Sequence, residues 1–219
     1  MVIFEKIESL NQNKPVQWGR VPTPLDFHID ISKDLGVNLY IKREDMIDDL
    51  GSGHKVRKLE YIVADALKQD ATLLITAGSI QSNQCRSVAI AGKRFGLKVH
   101  LVYSGDQQMM PDIPTGNYLL STLFDSKITW YEKTPWRQVS TLMNDVCQQE
   151  IQAGERPYII HPGASAWPGL LGSIALGYEL AFQAKEAGIS PEYIVAPAGS
   201  GGTCIGIQIA SSLLSLNWK

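Results

Sequence analysis

Gly51-Ser52-Gly53-His54-Lys55-Val56-Arg57-Lys58-Leu59-Glu60 places a lysine directly after small residues and at the entrance of a helical pattern. Glycines let the backbone turn tightly and approach a ligand, while the free N–H groups of a helix's first turn favour an anion. A lysine held rigidly there and partly stripped of water is deprotonated often enough to attack a carbonyl as a Schiff-base nucleophile. The competing reading is a solvated lysine in a first helical turn, which the burial statistics of lysine support about equally. Lys58, three positions on, occupies a neighbouring part of the same face and is the rival for the same role.

Three further stretches could bind or react. Gly199-Ser200-Gly201-Gly202-Thr203 follows an apolar run and opens a helical one, so its N–H groups and two hydroxyls can cradle a phosphate. As a dinucleotide fingerprint it fails, because the third glycine is replaced by Cys204. It is no P-loop either, because no lysine precedes Thr203. The alternative for this loop is a plain strand-to-helix turn. Ala77-Gly78-Ser79-Ile80-Gln81-Ser82-Asn83-Gln84 is a second such junction. Helix capping explains Ser82 alone, whereas four polar side chains together could also hydrogen-bond a carboxylate or a ring hydroxyl. His161-Pro162-Gly163-Ala164-Ser165 follows a strand pattern and is the weaker candidate, with His161 read as structural.

The elements that must position these residues come from hydrophobic period. After Lys55, apolar residues at Val56, Leu59, Ile62, Val63, Ala66 and Leu67 mark a helix. Strands are predicted at Leu39–Arg43, Leu73–Thr76, Lys98–Tyr103, Ile128–Tyr131, Tyr158–Ile160 and Tyr193–Ala196. Helices are predicted over Asn83–Phe95, Thr115–Phe124, Trp136–Ala153, Ser173–Ala187 and Thr203–Leu214. Residues 1 to 35 read as mostly irregular, broken by Pro15, Pro22 and Pro24. The alternation of strand and helix implies an α/β fold with a parallel sheet covered on both faces, most compact over residues 56 to 161. A further strand is expected after Leu214, where the chain reaches Lys219. The larger domain is therefore read as incomplete, through truncation or with a partner covering the open edge.

Composition narrows the function classes. Apolar residues make up 44% and charged ones 19%, with a net charge of −2, which excludes a basic nucleic-acid surface and favours a small neutral or zwitterionic ligand. Cys85, Cys147 and Cys204 show no metal spacing and suggest a reducing compartment. Met1 to Glu8 lack a leader pattern and no apolar run reaches the roughly 18 residues of a membrane span, so a cytoplasmic location is expected.

A lysine, a separate phosphate cradle and an amide-rich junction are together what pyridoxal 5'-phosphate requires. Thr23-Pro24-Leu25, Ile41-Lys42-Arg43-Glu44-Asp45, Gly53 to Glu60, Ile80 to Gln84 and Gly199 to Thr203 resemble, in order, the 1-aminocyclopropane-1-carboxylate deaminase and D-cysteine desulfhydrase family. The resemblance implies a three-layer αβα fold with parallel sheets, of the tryptophan-synthase-beta type. A smaller domain at 56–162 would be inserted in a larger one made of 1–55 and 163–219. It makes Lys55 rather than Lys58 the covalent lysine, with Ser82 as its catalytic companion. Asn83 would contact the cofactor's phenolic oxygen, Ser82 and Gln84 the substrate carboxylate, and Gly199, Ser200, Gly201, Gly202 and Thr203 the cofactor phosphate. It further implies a homodimer acting on a small amino acid to give a 2-oxo acid and ammonia. His54 stands where family members usually carry asparagine, and the family's C-terminal part, which supplies the ring-nitrogen partner, is missing. The alternatives are a catalytically inactive cofactor-binding fragment and a nucleotide-binding oxidoreductase. The second of these leaves Lys55 unexplained.

Overall fold

The computed structural model describes residues 14–51, 53–106 and 111–219. Ser52 of the lysine motif and Met1 to Glu8, read as lacking a leader, lie outside the described residues. In chain order, β1 (Leu25–Phe27), α1 (Ile29–Leu35) and β2 (Tyr40–Lys42) precede α2 (Lys55–Lys68), β3 (Leu73–Gly78) and α3 (Asn83–Phe95). There follow β4 (Lys98–Ser104), α4 (Gly116–Leu123), β5 (Lys127–Tyr131), α5 (Val139–Gln152), β6 (Pro157–Ile160), α6 (Leu170–Glu186) and α7 (Gly202–Leu213).

Four strands form a parallel sheet in the order β5-β4-β3-β6, and β1 pairs antiparallel with β2 in a separate ribbon. Parallel strands buried on both faces carry near-continuous apolar runs, and β3 shows why. Leu73, Ile75 and Ala77 pack with Val139, Met143 and Val146 of α5, while Leu74 on the opposite face joins Val56, Leu59 and Val63 of α2 and Val88 and Ala89 of α3. The periods of two and 3.6 read from the sequence therefore become one sheet between two helical layers.

α2 also has a second neighbour. Its Tyr61 packs with Leu171, Ile174 and Tyr178 of α6, which in turn meets Ala210 of α7. The helix carrying Lys55 thus lies between the sheet and the α6–α7 pair. α6 approaches so closely that a Cβ on Gly172 would stand 2.2 Å from the Arg57 carbonyl oxygen.

Within residues 14–35 the short β1 and α1 interrupt an otherwise irregular stretch, the helix closed by Gly36 at φ 67°, and residues 1–13 lie outside the described residues. One expectation is corrected. The strand expected at Tyr193–Ala196 is absent: Ile194 N donates to Lys219 O, but no ladder forms and Val195 is 95% exposed. A strand is defined by its partners, and among the described residues this segment meets only Lys219, which accepts from Ile194 N and donates to Glu192 O, so the pairing does not extend along it. Among the described residues no helix is long and apolar enough to cross a membrane.

Gly172→Ala forces a methyl group onto backbone rather than onto a yielding side chain. It should destabilise the chain by about 1–3 kcal/mol, read as a lower urea midpoint at unchanged slope.

Candidate active site

Lys55 is the first residue of α2, and its Nζ lies 2.7 Å from His54 Nε2. Burial lowers the Lys55 pKa from its ordinary value. Burial, then the neighbouring Lys55 and Lys58, pushes His54 down to about 4. The imidazole is therefore neutral at ordinary pH and its Nε2 can accept a hydrogen bond from the lysine amine. The preceding loop is tied to α3: Ser87 Oγ and Arg86 Nη2 both donate to the Gly51 carbonyl, at 2.9 and 3.2 Å.

Lys58, the rival on the same face, is only 1% exposed. Its Nζ donates to the Gly163 carbonyl at 3.2 Å, and no carboxylate among the described residues pairs with it. Burial, followed by the charge of Lys55, pushes its pKa down to about 8, which keeps it mostly protonated at neutral pH. A Cβ on Gly202 would stand 2.9 Å from that ammonium and 2.3 Å from Ser165 Oγ, so only glycine lets α7 begin there. Ser165 Oγ is in turn 2.6 Å from Ser200 Oγ. Lys58, Ser165, Ser200 and the unpaired N–H groups at the start of α7 thus share one small wall. A buried ammonium with a single carbonyl partner is costly unless an anion joins it, and the first turn of α7 is suited to receive one. These residues fit the phosphate of pyridoxal 5'-phosphate.

The junction before α3 is divided among several tasks. Ser82 caps the helix, its Oγ accepting from Cys85 N at 3.2 Å, which leaves its own hydrogen to donate. Gln81 is used to dock α4, accepting from Asn117 N and donating to Thr115 O. Asn83 is exposed, and its Oδ1 accepts from Asn117 Nδ2 at 2.9 Å. Gln84 departs from its expected role toward a substrate carboxylate. It is buried, and its Nε2 donates to Thr76 Oγ1 and His161 O at 2.8 and 3.0 Å, tying α3 to the ends of β3 and β6. One residue too late in the sequence to share the outward face of Asn83, it turns into the sheet.

Sequence reasoning set Lys58 aside and gave no role to Asn117, Arg86 or Ser165's hydroxyl. For Ser165 the only signal was the weak His161–Ser165 stretch, and for Asn117 it was a polar residue following Gly116 at a helix start. Behind the site, Arg57 Nε and Nη2 donate to Glu44 while Nη1 and Nη2 donate to Glu179, all within 2.9 Å. Thr23 Oγ1 donates to Glu44, and Lys42 pairs with Glu179. This explains the Thr23 and Ile41–Asp45 motifs as the frame of the lysine helix.

Comparison with known proteins places the chain. The family described as pyridoxal-phosphate dependent enzyme matches residues 16–217. A D-cysteine desulfhydrase of Salmonella paratyphi B is 36% identical over 192 residues, 86% of this chain and 57% of that protein. A Pyrococcus abyssi protein provisionally named a 1-aminocyclopropane-1-carboxylate deaminase is 34% identical over 197 residues, 90% of this chain and 58% of that protein. The crystal structure of an ACC deaminase homologue superposes with a TM-score of 0.88 at 32% identity, covering 98% of this chain and 64% of that one. The chain thus spans less than two thirds of the length of these relatives. The fold extends to a threonine deaminase at 21% identity and TM-score 0.71, over 98% of this chain and 60% of that one. The lysine at the head of α2, the glycine loop opening α7 and the match over residues 16–217 have one common explanation: this chain belongs to the pyridoxal-phosphate-dependent enzyme family, whose cofactor is pyridoxal 5'-phosphate.

Proposed function

We propose that the chain carries the cofactor-binding and lysine-bearing part of a lyase or deaminase that converts a small amino acid, of the D-cysteine or 1-aminocyclopropane-1-carboxylate type, to a 2-oxo acid and ammonia. The observation that carries this reading is the buried Lys58 ammonium, without a carboxylate partner among the described residues, set against the start of α7 and one helical turn from Lys55. When bound, pyridoxal 5'-phosphate supplies the electron sink for bonds broken at the substrate's α-carbon.

Each residue has a task of its own in this scheme. Lys58, Ser200, Gly201, Gly202 and Thr203 hold the phosphate, with Gly199 giving the loop room. Lys55 is the covalent lysine, and burial favours its amine form, the nucleophile. With its amine free, the same Nζ would be placed to take up a proton as general base. Asn83 donates to the phenolic oxygen, and the Ser82 hydroxyl donates to the substrate carboxylate. Gln84 acts behind them by fixing the His161–Ser165 turn.

The division into a larger domain of 1–55 and 163–219 and a smaller one of 56–162 belongs to the same proposal, as do the homodimer and the cytoplasmic location. Sedimentation velocity reads the dimer.

Borohydride reduction in the presence of the cofactor should leave a pyridoxyl group on Lys55 in peptide maps, and Lys55→Ala should abolish it. A label on Lys58 instead would overturn the assignment. Binding without ammonia release from any small amino acid would mark the chain as binding-only.

Lys58 can be tested without covalent chemistry, using pyridoxine 5'-phosphate, which has no aldehyde. Lys58→Met should weaken its binding about 10- to 100-fold, as for a lost hydrogen bond to a charged group. In the unmodified chain the affinity should fall as pH rises above 8, where the free lysine loses its proton. Stability has the opposite sign. The unfolded lysine keeps its proton up to about 10.4, so the folded chain binds fewer protons between about 8 and that value. This group therefore adds to the stability of the cofactor-free chain as pH rises across the window.

A further inference from the structure

Asn117, the second residue of α4, lies between a cation and the exposed Asn83. Arg86 Nη1 donates to Asn117 Oδ1 at 3.0 Å, and Asn117 Nδ2 donates both to the Gln81 carbonyl at 2.8 Å and to Asn83 Oδ1 at 2.9 Å. The two ends of an asparagine amide look alike in shape, so its orientation has to be argued from partners. Here the partners leave no choice. A guanidinium only donates, so Asn117 must turn its oxygen to Arg86. A backbone carbonyl only accepts, so its nitrogen must face Gln81 and, beside it, Asn83. Asn83 then has to offer Oδ1 inward, and the end it has left for a ligand is Nδ2, a donor.

We infer that Asn117 is a positioning residue that locks the Asn83 amide with its donor end toward the phenolic oxygen of the cofactor ring, with the Arg86 charge polarising both amides in that direction. This rests on the cofactor reading above. An unlocked Asn83 could present either end, and an oxygen facing the ring oxygen would repel it when ionised. With the lock in place the donor is already set before the ligand arrives. A cation at the far end of the hydrogen-bonded chain strengthens each bond in it, and the ionised form of the ring oxygen gains most. Arg86 also holds the Gly51 carbonyl, so the same guanidinium fixes the lysine loop and the amide that faces it.

Asn117→Asp tests this because it preserves shape and reverses chemistry. Two carboxylate oxygens can still receive Arg86, but they can only accept, so Asn83 must turn its Nδ2 toward them and its oxygen toward the ring. The visible band of the cofactor bound at Lys55 should move from the longer-wavelength form with an ionised ring oxygen to the shorter-wavelength form with a protonated one. The cofactor dissociation constant should rise about tenfold, the equivalent of one hydrogen bond. Asn117→Ala, which frees the Asn83 amide, should show both bands, and it carries the test if the aspartate variant does not fold. Ser121→Ala removes a hydroxyl that bonds Asn117 O on the same helix and leaves both amides in place, so its spectrum should match the unmodified chain. A wild-type spectrum and affinity in Asn117→Asp would overturn the inference alone, provided the unmodified chain yields the Lys55 adduct. If the unmodified chain yields no adduct, the cofactor reading falls and this inference with it.

Discussion

The placement of the site depends on one buried guanidinium. Arg57 is 4% exposed and lies two residues beyond Lys55, with forked bonds to Glu44 from the segment after β2 and to Glu179 from α6. Lys42 pairs with Glu179 as well, giving two cations and two anions in one nearly dry cluster. Burial acts against the Arg57 charge, yet the bonds to the two glutamates outweigh it and raise its pKa. Such a cluster adds little over well-packed apolar side chains of equal volume, whereas removing one member costs about 3–5 kcal/mol because the others are left uncompensated. Its effect here is positional: three chain segments meet α2 at one rotation, and that rotation carries Lys55 and Lys58 to their separate neighbours.

From this frame the binding edge follows from topology. α3 begins at the turn after β3, α7 at the glycine loop and α2 at the lysine loop, so three helix N-termini gather near the carboxyl ends of β3 and β6. That edge is where an open parallel sheet receives ligands, and the unpaired N–H groups of the first turns favour anionic ones. The stretches involved are held to one another through their backbones. Gly51 O is fixed by α3, His161 O by Gln84, and Gly163 O by Lys58. Carbonyls used in this way leave the side chains of the same loops to face a ligand.

Much of this was legible in the sequence wherever a local pattern decides the outcome. The span Asn83–Phe95 was read with its boundaries because Ser82 caps one end and Gly96 closes the other. The lysine motif and the glycine loop announced themselves by residue type and by their place before helical runs. What was not legible depended on partners. Tyr193–Ala196 has strand composition but pairs only with Lys219 among the described residues, and α1 is too short for its period to stand out. Gln84 carries the right chemistry for a substrate contact, yet Thr76 and the His161 carbonyl, the latter 77 positions away, take its amide.

The two lysines of α2 show how identical side chains acquire different work. Their spacing of three puts them on one face, and from sequence each was a candidate for the same nucleophile. Burial pulls both pKa values down, so it does not separate them. Their neighbours do. Lys55 lies beside a neutral imidazole that can accept from its amine and offers no compensating charge. Lys58 reaches a carbonyl and the bare start of α7, where an arriving anion would supply the missing charge and restore its pKa. The first environment offers the lysine no countercharge, and the second becomes that of a held ammonium once an anion has joined it. Nothing within Lys55-Val56-Arg57-Lys58 encodes that difference, because Gly163, Ser165, Ser200 and Gly202 lie more than a hundred positions further along the chain.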